Sequence, residues 1–158
     1  MTFDWKDLQN GSDIRGIALP GVEGEIVNLT PDVVMKLGMA LVTWYRKHFS
    51  ANNRLLVSVG TDSRLSGPEL KDAFCKGLIS MGADVLDFGM ATTPSMFMSI
   101  VDDHTQCDAA VMITASHLPF NRNGLKFFTS KGGFEKADIT ELLSIAEKGS
   151  FSSVPVQG

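Results

Sequence analysis

The sequence predicts an α/β fold: three layers, α/β/α, around a mixed four-stranded sheet of three parallel strands and one antiparallel edge strand. Short apolar runs alternate with amphipathic stretches of helical period, the pattern of strands buried on both faces and joined by crossover helices. The last two strand-like runs are too close for a crossover helix, so they must pair antiparallel. The composition, 44% hydrophobic and 20% charged over 158 residues, is that of a folded domain able to bury one core.

In chain order, residues 12–17 and 25–28 could form a hairpin across the glycines at 21 and 24. Thr30-Pro31-Asp32 then reads as an N-cap, a first-turn proline and a first-turn acid. Val33, Val34, Leu37, Leu41, Trp44 and Tyr45 follow at helical spacing. Residues 55–59 form a buried strand closed by Gly60, and Ser66-Gly67-Pro68-Glu69 has capping-box spacing ahead of Leu70, Phe74, Leu78 and Met81, with Gly82 as the stop. The pattern repeats with a strand over 84–88, a turn through Gly89 and a short helix opened by Thr93-Pro94. Residues 109–113 are the third strand and 124–128 the antiparallel fourth. Ile139, Leu142, Leu143 and Ala146 mark a last helix ending near Gly149. Residues 1–149 are therefore expected to be one domain, and 150–158 a linker towards a missing second domain.

Fourteen Lys and Arg against 18 Asp and Glu give a net charge of −4 with no basic block, which argues against a nucleic-acid binder. No apolar run approaches a membrane span. Cys75 and Cys107 fit no metal spacing and read as free thiols. The first ten residues match neither a signal nor a transit peptide. The expected setting is a soluble reducing compartment, cytoplasm or organelle stroma, and not secretion.

In doubly wound sheets ligands gather beyond the carboxyl ends of the strands, so the loops at 60–66, 89–93 and 114–123 come first. On residues alone, Thr61-Asp62-Ser63-Arg64 is an ordinary loop in which Asp62 and Arg64 pair and Ser66 caps a helix. Thr114-Ala115-Ser116-His117 sets a hydroxyl beside an imidazole directly after a buried strand. Gly-x-Ser-x-Gly and Walker patterns are both missing, so a serine esterase and a P-loop enzyme lose ground.

Thr114-Ala115-Ser116-His117-Leu118-Pro119 followed by Asn123-Gly124-Leu125-Lys126-Phe127 resembles the active-site segment of the α-D-phosphohexomutases, the phosphomannomutase/phosphoglucomutase superfamily. Ser12-Asp13-Ile14-Arg15-Gly16, Gly60-Thr61-Asp62-Ser63-Arg64-Leu65-Ser66-Gly67 and Gly89-Met90-Ala91-Thr92-Thr93-Pro94 are similar to three further family motifs, in the family's order. One departure stands out: the family usually has Asn-Pro after Ser-His, where this chain has Leu118-Pro119, so an amide donor is lost.

The resemblance implies the first of four domains of a mutase interconverting hexose 1-phosphate and 6-phosphate through a bisphosphate. Glucose and mannose phosphates are the expected substrates and glucosamine phosphate the runner-up. It implies that Ser116 carries the phosphoryl group and, through its phosphate, contributes to one Mg²⁺ whose other ligands lie in a missing domain. A hexose 1,6-bisphosphate is the implied activator. Arg15 and Lys126 are expected to flank the phosphoserine, Lys126 as general base and acid, with His117 positioning. Thr114, Asn123 and Arg64 complete the expected phosphate and substrate contacts. The remaining domains of the same chain are the expected partners, and the isolated domain is expected to be inactive. A non-catalytic phosphosugar-binding module is the alternative of another class, with intact Ser116, His117, Lys126 and Arg15 arguing against it.

Overall fold

The structure, a computed structural model, describes residues 3–49 and 54–151. A 3₁₀ turn at Trp5–Leu8 leads into β1 (Gln9–Asn10), β2 (Asp13–Ile17) and α1 (Pro31–Phe49). Then come β3 (Leu56–Thr61), α2 (Gly67–Ser80), β4 (Asp84–Met90), α3 (Thr93–Val101) and β5 (Ala109–Ile113). The chain closes with β6 (Arg122–Thr129), β7 (Gly132–Gly133) and α4 (Lys136–Lys148). Of the linker expected over 150–158, residues 152–158 lie outside the described residues.

The sheet order is β1-β2-β6-β5-β3-β4, with β7 also on β6. β3 is parallel to both β4 and β5, and β6 is antiparallel to β5, so the mixed sheet and the α/β/α class agree with the sequence reading. The sheet is wider than expected, because β2 adds antiparallel to the far side of β6 and β1 to β2. β6 is therefore an interior strand. The expected hairpin between residues 12–17 and 25–28 does not form. With β6 on one side of β2 and β1 on the other, the returning chain reaches only its end: Asn28 and Leu29 each donate a backbone N–H to the Ile17 carbonyl at 3.0 Å. The Asn28 side chain accepts from the Ile17 N–H at 2.7 Å.

Strand alternation sorts the side chains into two cores. Val57, Val59, Val111, Ile113, Leu125 and Phe127 face the layer of α1, α2 and α4. Ala110 and Met112 face Met96 and Ile100 of α3 on the opposite side. A buried hydrogen bond of 2.7 Å between Ser58 and Ser99 ties α3 to β3. α1 begins as expected, with Thr30 Oγ1 accepting from the Val33 N–H at 3.2 Å, and α4 ends on Gly149 in the left-handed region. Ser66 does not cap α2: its own backbone is already helical and its hydroxyl accepts from the Asn123 amide at 2.8 Å. The α3 cap is Thr92, in a reciprocal pair with Ser95. β4 is an outer strand, with a register shift against β3 at Val59/Gly60 and Gly89 at φ +62°.

α1 and α2 touch backbone to backbone. A Cβ at Gly38 would lie 2.6 Å from the Phe74 carbonyl oxygen, and one at Gly77 would run into the Met35 carbonyl. Gly77→Ala is expected to destabilise the fold by about 1–2 kcal/mol, because the overpacking penalty outweighs the better helix propensity of alanine. Thermal melting checks this, and a variant melting at or above wild type would overturn the close-crossing account.

Candidate functional site

Ser116 stands just past the carboxyl end of β5, exposed, with φ +54°. A left-handed conformation is unfavourable for a residue with a Cβ and persists only where neighbours hold it. They do so from both sides. The Ser116 N–H donates to Thr114 Oγ1 at 3.1 Å, and the Thr114 hydroxyl donates in turn to Asp62 Oδ2 at 2.6 Å. Asp62 belongs to the loop after β3, the neighbouring parallel strand, where its other oxygen accepts from the Arg64 N–H at 3.1 Å.

Arg64 reaches across to the same loop as Ser116. One terminal nitrogen donates to the carbonyls of Ser116 at 2.8 Å and Leu118 at 2.7 Å. The other donates to those of Pro119 at 2.7 Å and Arg122 at 3.1 Å. Its Nε lies 3.4 Å from Asp62 Oδ2. Every donor of the guanidinium is thus directed at the protein. The far end of the loop is held separately: Glu25 accepts from the Arg122 guanidinium at 2.8 Å, and Ala18 N–H donates to the Asn121 carbonyl at 2.7 Å.

The cations come from β6 and from β2, the strand added beside it. In the β2–β6 register Arg15 lies opposite Gly124, so Asp13 falls opposite Lys126, all on the sheet face that carries α3. Lys126 Nζ donates to Asp13 Oδ2 at 2.7 Å, and an Arg15 terminal nitrogen lies 3.6 Å from the same oxygen. Gly124 permits this close approach: a Cβ there would meet the Ile14 carbonyl, and would lie 3.0 Å from both Arg15 Cγ and the Thr114 carbonyl oxygen. A carboxylate therefore stands between Lys126 and Arg15.

The structure brings Ser116, Thr114 and Arg64 into one bonded unit and Arg15 and Lys126 into another. Two expected phosphate contacts are occupied elsewhere. Arg64 has its donors on carbonyls and Asp62, and Asn123 is fully buried, with its amide on Ser66 and its oxygen on the Gly124 N–H at 2.9 Å. His117 is exposed and has no hydrogen-bond partner among the described residues. Asp13 was not singled out in the sequence, although alternation about buried Ile14 gave the signal that it shares a face with Arg15. Among the described residues no group of three or more His, Cys, Asp or Glu side chains could hold a metal ion. A pocket of about 340 Å³ lies elsewhere, against Phe3, Ile17, Ile26 and the acids Asp4, Asp7 and Glu25. With no lysine or arginine in its lining it has the wrong charge for a phosphate.

Residues 6–153 match the family described as phosphoglucomutase/phosphomannomutase, alpha/beta/alpha domain I. The chain belongs to the phosphoglucomutase/phosphomannomutase family. Among curated relatives in that family, a phosphoglucosamine mutase of Helicobacter pylori is 42% identical over 113 residues, 71% of this chain and 24% of the relative. One of Syntrophotalea carbinolica is 36% identical over 137 residues, 87% of this chain and 28% of the relative. The crystal structure of a phosphoglucomutase/phosphomannomutase family protein from Burkholderia thailandensis superposes with a TM-score of 0.77 at 26% identity, covering 96% of this chain and 32% of that one. The chain spans about a quarter of the length of these curated relatives.

The left-handed serine gives a stability test. Both Ser116 backbone bonds survive loss of the side chain, and glycine accepts positive φ without strain. Ser116→Gly is expected to stabilise the domain by about 0.5–1 kcal/mol after allowing for the looser unfolded chain, with Ser116→Ala near neutral. Equal melting temperatures for the two variants would show that the turn stores no strain.

Proposed function

We propose that this chain is the phosphoserine-carrying domain of a phosphohexomutase that interconverts hexose 1-phosphate and hexose 6-phosphate. The observation that carries the proposal is Ser116: an exposed hydroxyl locked in a strained turn at the carboxyl end of a parallel strand, in a chain with a family domain match over 148 residues (6–153). In the charged enzyme the phosphorus–oxygen bond to Ser116 breaks as a new one forms to the free sugar hydroxyl. The hydroxyl proton leaves to the Lys126–Asp13 pair, and the Ser116 oxygen takes one back. The product is a hexose bisphosphate, which turns over and returns its other phosphoryl group to Ser116, leaving the isomeric monophosphate. Arg15 and Lys126 supply positive charge for the transferring group, and His117 is free to turn towards it.

A divalent cation, Mg²⁺ by the resemblance, would neutralise further charge on the phosphoryl group. Among the described residues only a Ser116-borne phosphate oxygen fits as a ligand, and the acids at hand, Asp13 and Asp62, are already paired. The names of the relatives favour glucosamine phosphate over the expected glucose or mannose phosphate as the sugar.

Incubating the full-length protein with a hexose 1,6-bisphosphate is expected to add one phosphate to Ser116, read by intact mass and peptide mapping. A Ser116→Ala variant that gained the same increment and turned over normally would sink the assignment. Lys126→Met is expected to lower kcat by about a hundredfold with a smaller change in KM, since a cation and proton carrier at the transferring group acts mainly in the transition state. A change confined to KM would remove Lys126 from the chemistry.

A further inference from the structure

We infer that Arg64, locked by Asp62, is the residue that positions the nucleophile: one ion pair in the β3–α2 loop fixes Ser116 from both of its peptide bonds and sets the direction in which its hydroxyl leaves the turn. This rests on the reading of Ser116 as the phosphoryl carrier.

The two halves of the device meet at a single carboxylate. On the amide side, Asp62 Oδ2 holds the Thr114 hydroxyl at 2.6 Å and that oxygen holds the Ser116 N–H at 3.1 Å. On the carbonyl side, the guanidinium holds the Ser116 oxygen at 2.8 Å while its Nε rests 3.4 Å from the same Asp62 oxygen. The remaining guanidinium bonds collect the carbonyls of Leu118, Pro119 and Arg122. Four carbonyls converging on one planar fork is a geometry that only arginine can satisfy, since a lysine ammonium has three donors radiating from one point. The Arg64 side chain is 12% exposed, and its bonds to Leu118 and Arg122 are part-buried while those to Ser116 and Pro119 lie at the surface. Leucine at 118 brings no side-chain hydrogen bond to the turn, which leaves its polar groups to the backbone.

Such a residue touches neither the sugar nor the transferring phosphoryl group. Its effect passes through the placement of Ser116, and a misplacement of about 1 Å costs an in-line transfer on the order of a hundredfold. A substrate-gripping arginine, by contrast, would act on affinity.

The test uses the full-length protein and glucose 1,6-bisphosphate, with rates expressed per folded molecule from circular dichroism. Arg64→Lys is expected to slow single-turnover phosphorylation of Ser116 and kcat together, by about tenfold to a hundredfold, with KM nearly unchanged. In Arg64→Ala, added methylguanidinium is expected to restore part of the rate without raising the melting temperature to that of wild type. Should Arg64→Lys not fold, Asp62→Asn decides by the same split between kcat and KM. A raised KM with kcat intact, or a folded Arg64→Lys that phosphorylates at the wild-type rate, overturns the inference while leaving Ser116 as carrier. A wild type that takes up no phosphate on Ser116 instead sinks the carrier reading, and the inference with it.

Discussion

The double pairing of β6 is the constraint on which the rest depends. One strand is hydrogen-bonded to β5, whose carboxyl end leads into the Ser116 turn, and to β2, which carries Arg15. Ser116 and Arg15 reside on segments far apart in the sequence, yet two ladders set their relation with the stiffness of a sheet rather than of a loop. The ladders close tightly at Gly124, where the Thr114 N–H donates to its carbonyl at 2.9 Å and β2 passes without room for a side chain. The N-terminal segment is thereby part of the site's framework.

Charge is arranged by the same geometry. The chain is acidic overall, at −4, so an anion can be held only where cations are concentrated and oriented. Asp13 orients Lys126 and Arg15, and Asp62 orients Arg64, each acid partly buried beside its partner. In the first case the cations keep donors to offer a ligand; in the second none remain. An arginine in a strand-end loop is therefore no evidence of anion binding until its donors have been counted.

Much of the fold was legible because its signals are local. Thr30-Pro31 and Gly149 mark helix ends through their own backbone preferences, and the apolar runs at 55–59 and 109–113 can only be buried strands. Local pattern failed where a distant partner competed. Ser66 has the right spacing for a cap, yet Asn123 claims its hydroxyl from 57 positions away. Residues 25–28 looked like a hairpin strand, but β6 had already taken the edge of β2. The same holds at the site. Ser116, Arg15 and Lys126 stood out by chemical type and motif, whereas the Asp13–Lys126 and Arg64–Ser116 bonds span 113 and 52 positions and have no signature in either neighbourhood.

The outer strand β4 has a consequence for how copies of this domain meet one another. A straight, uncharged margin would invite a second molecule to extend the sheet. Here the strand carries exposed Asp84 and Asp87, tied to Arg54 and Lys71, and its ladder slips out of step before bending at Gly89. An incoming strand would bury those carboxylates and lose register within a few residues. Self-templated growth is opposed along this border, although the outer row of the strand's own backbone groups has no ladder partner.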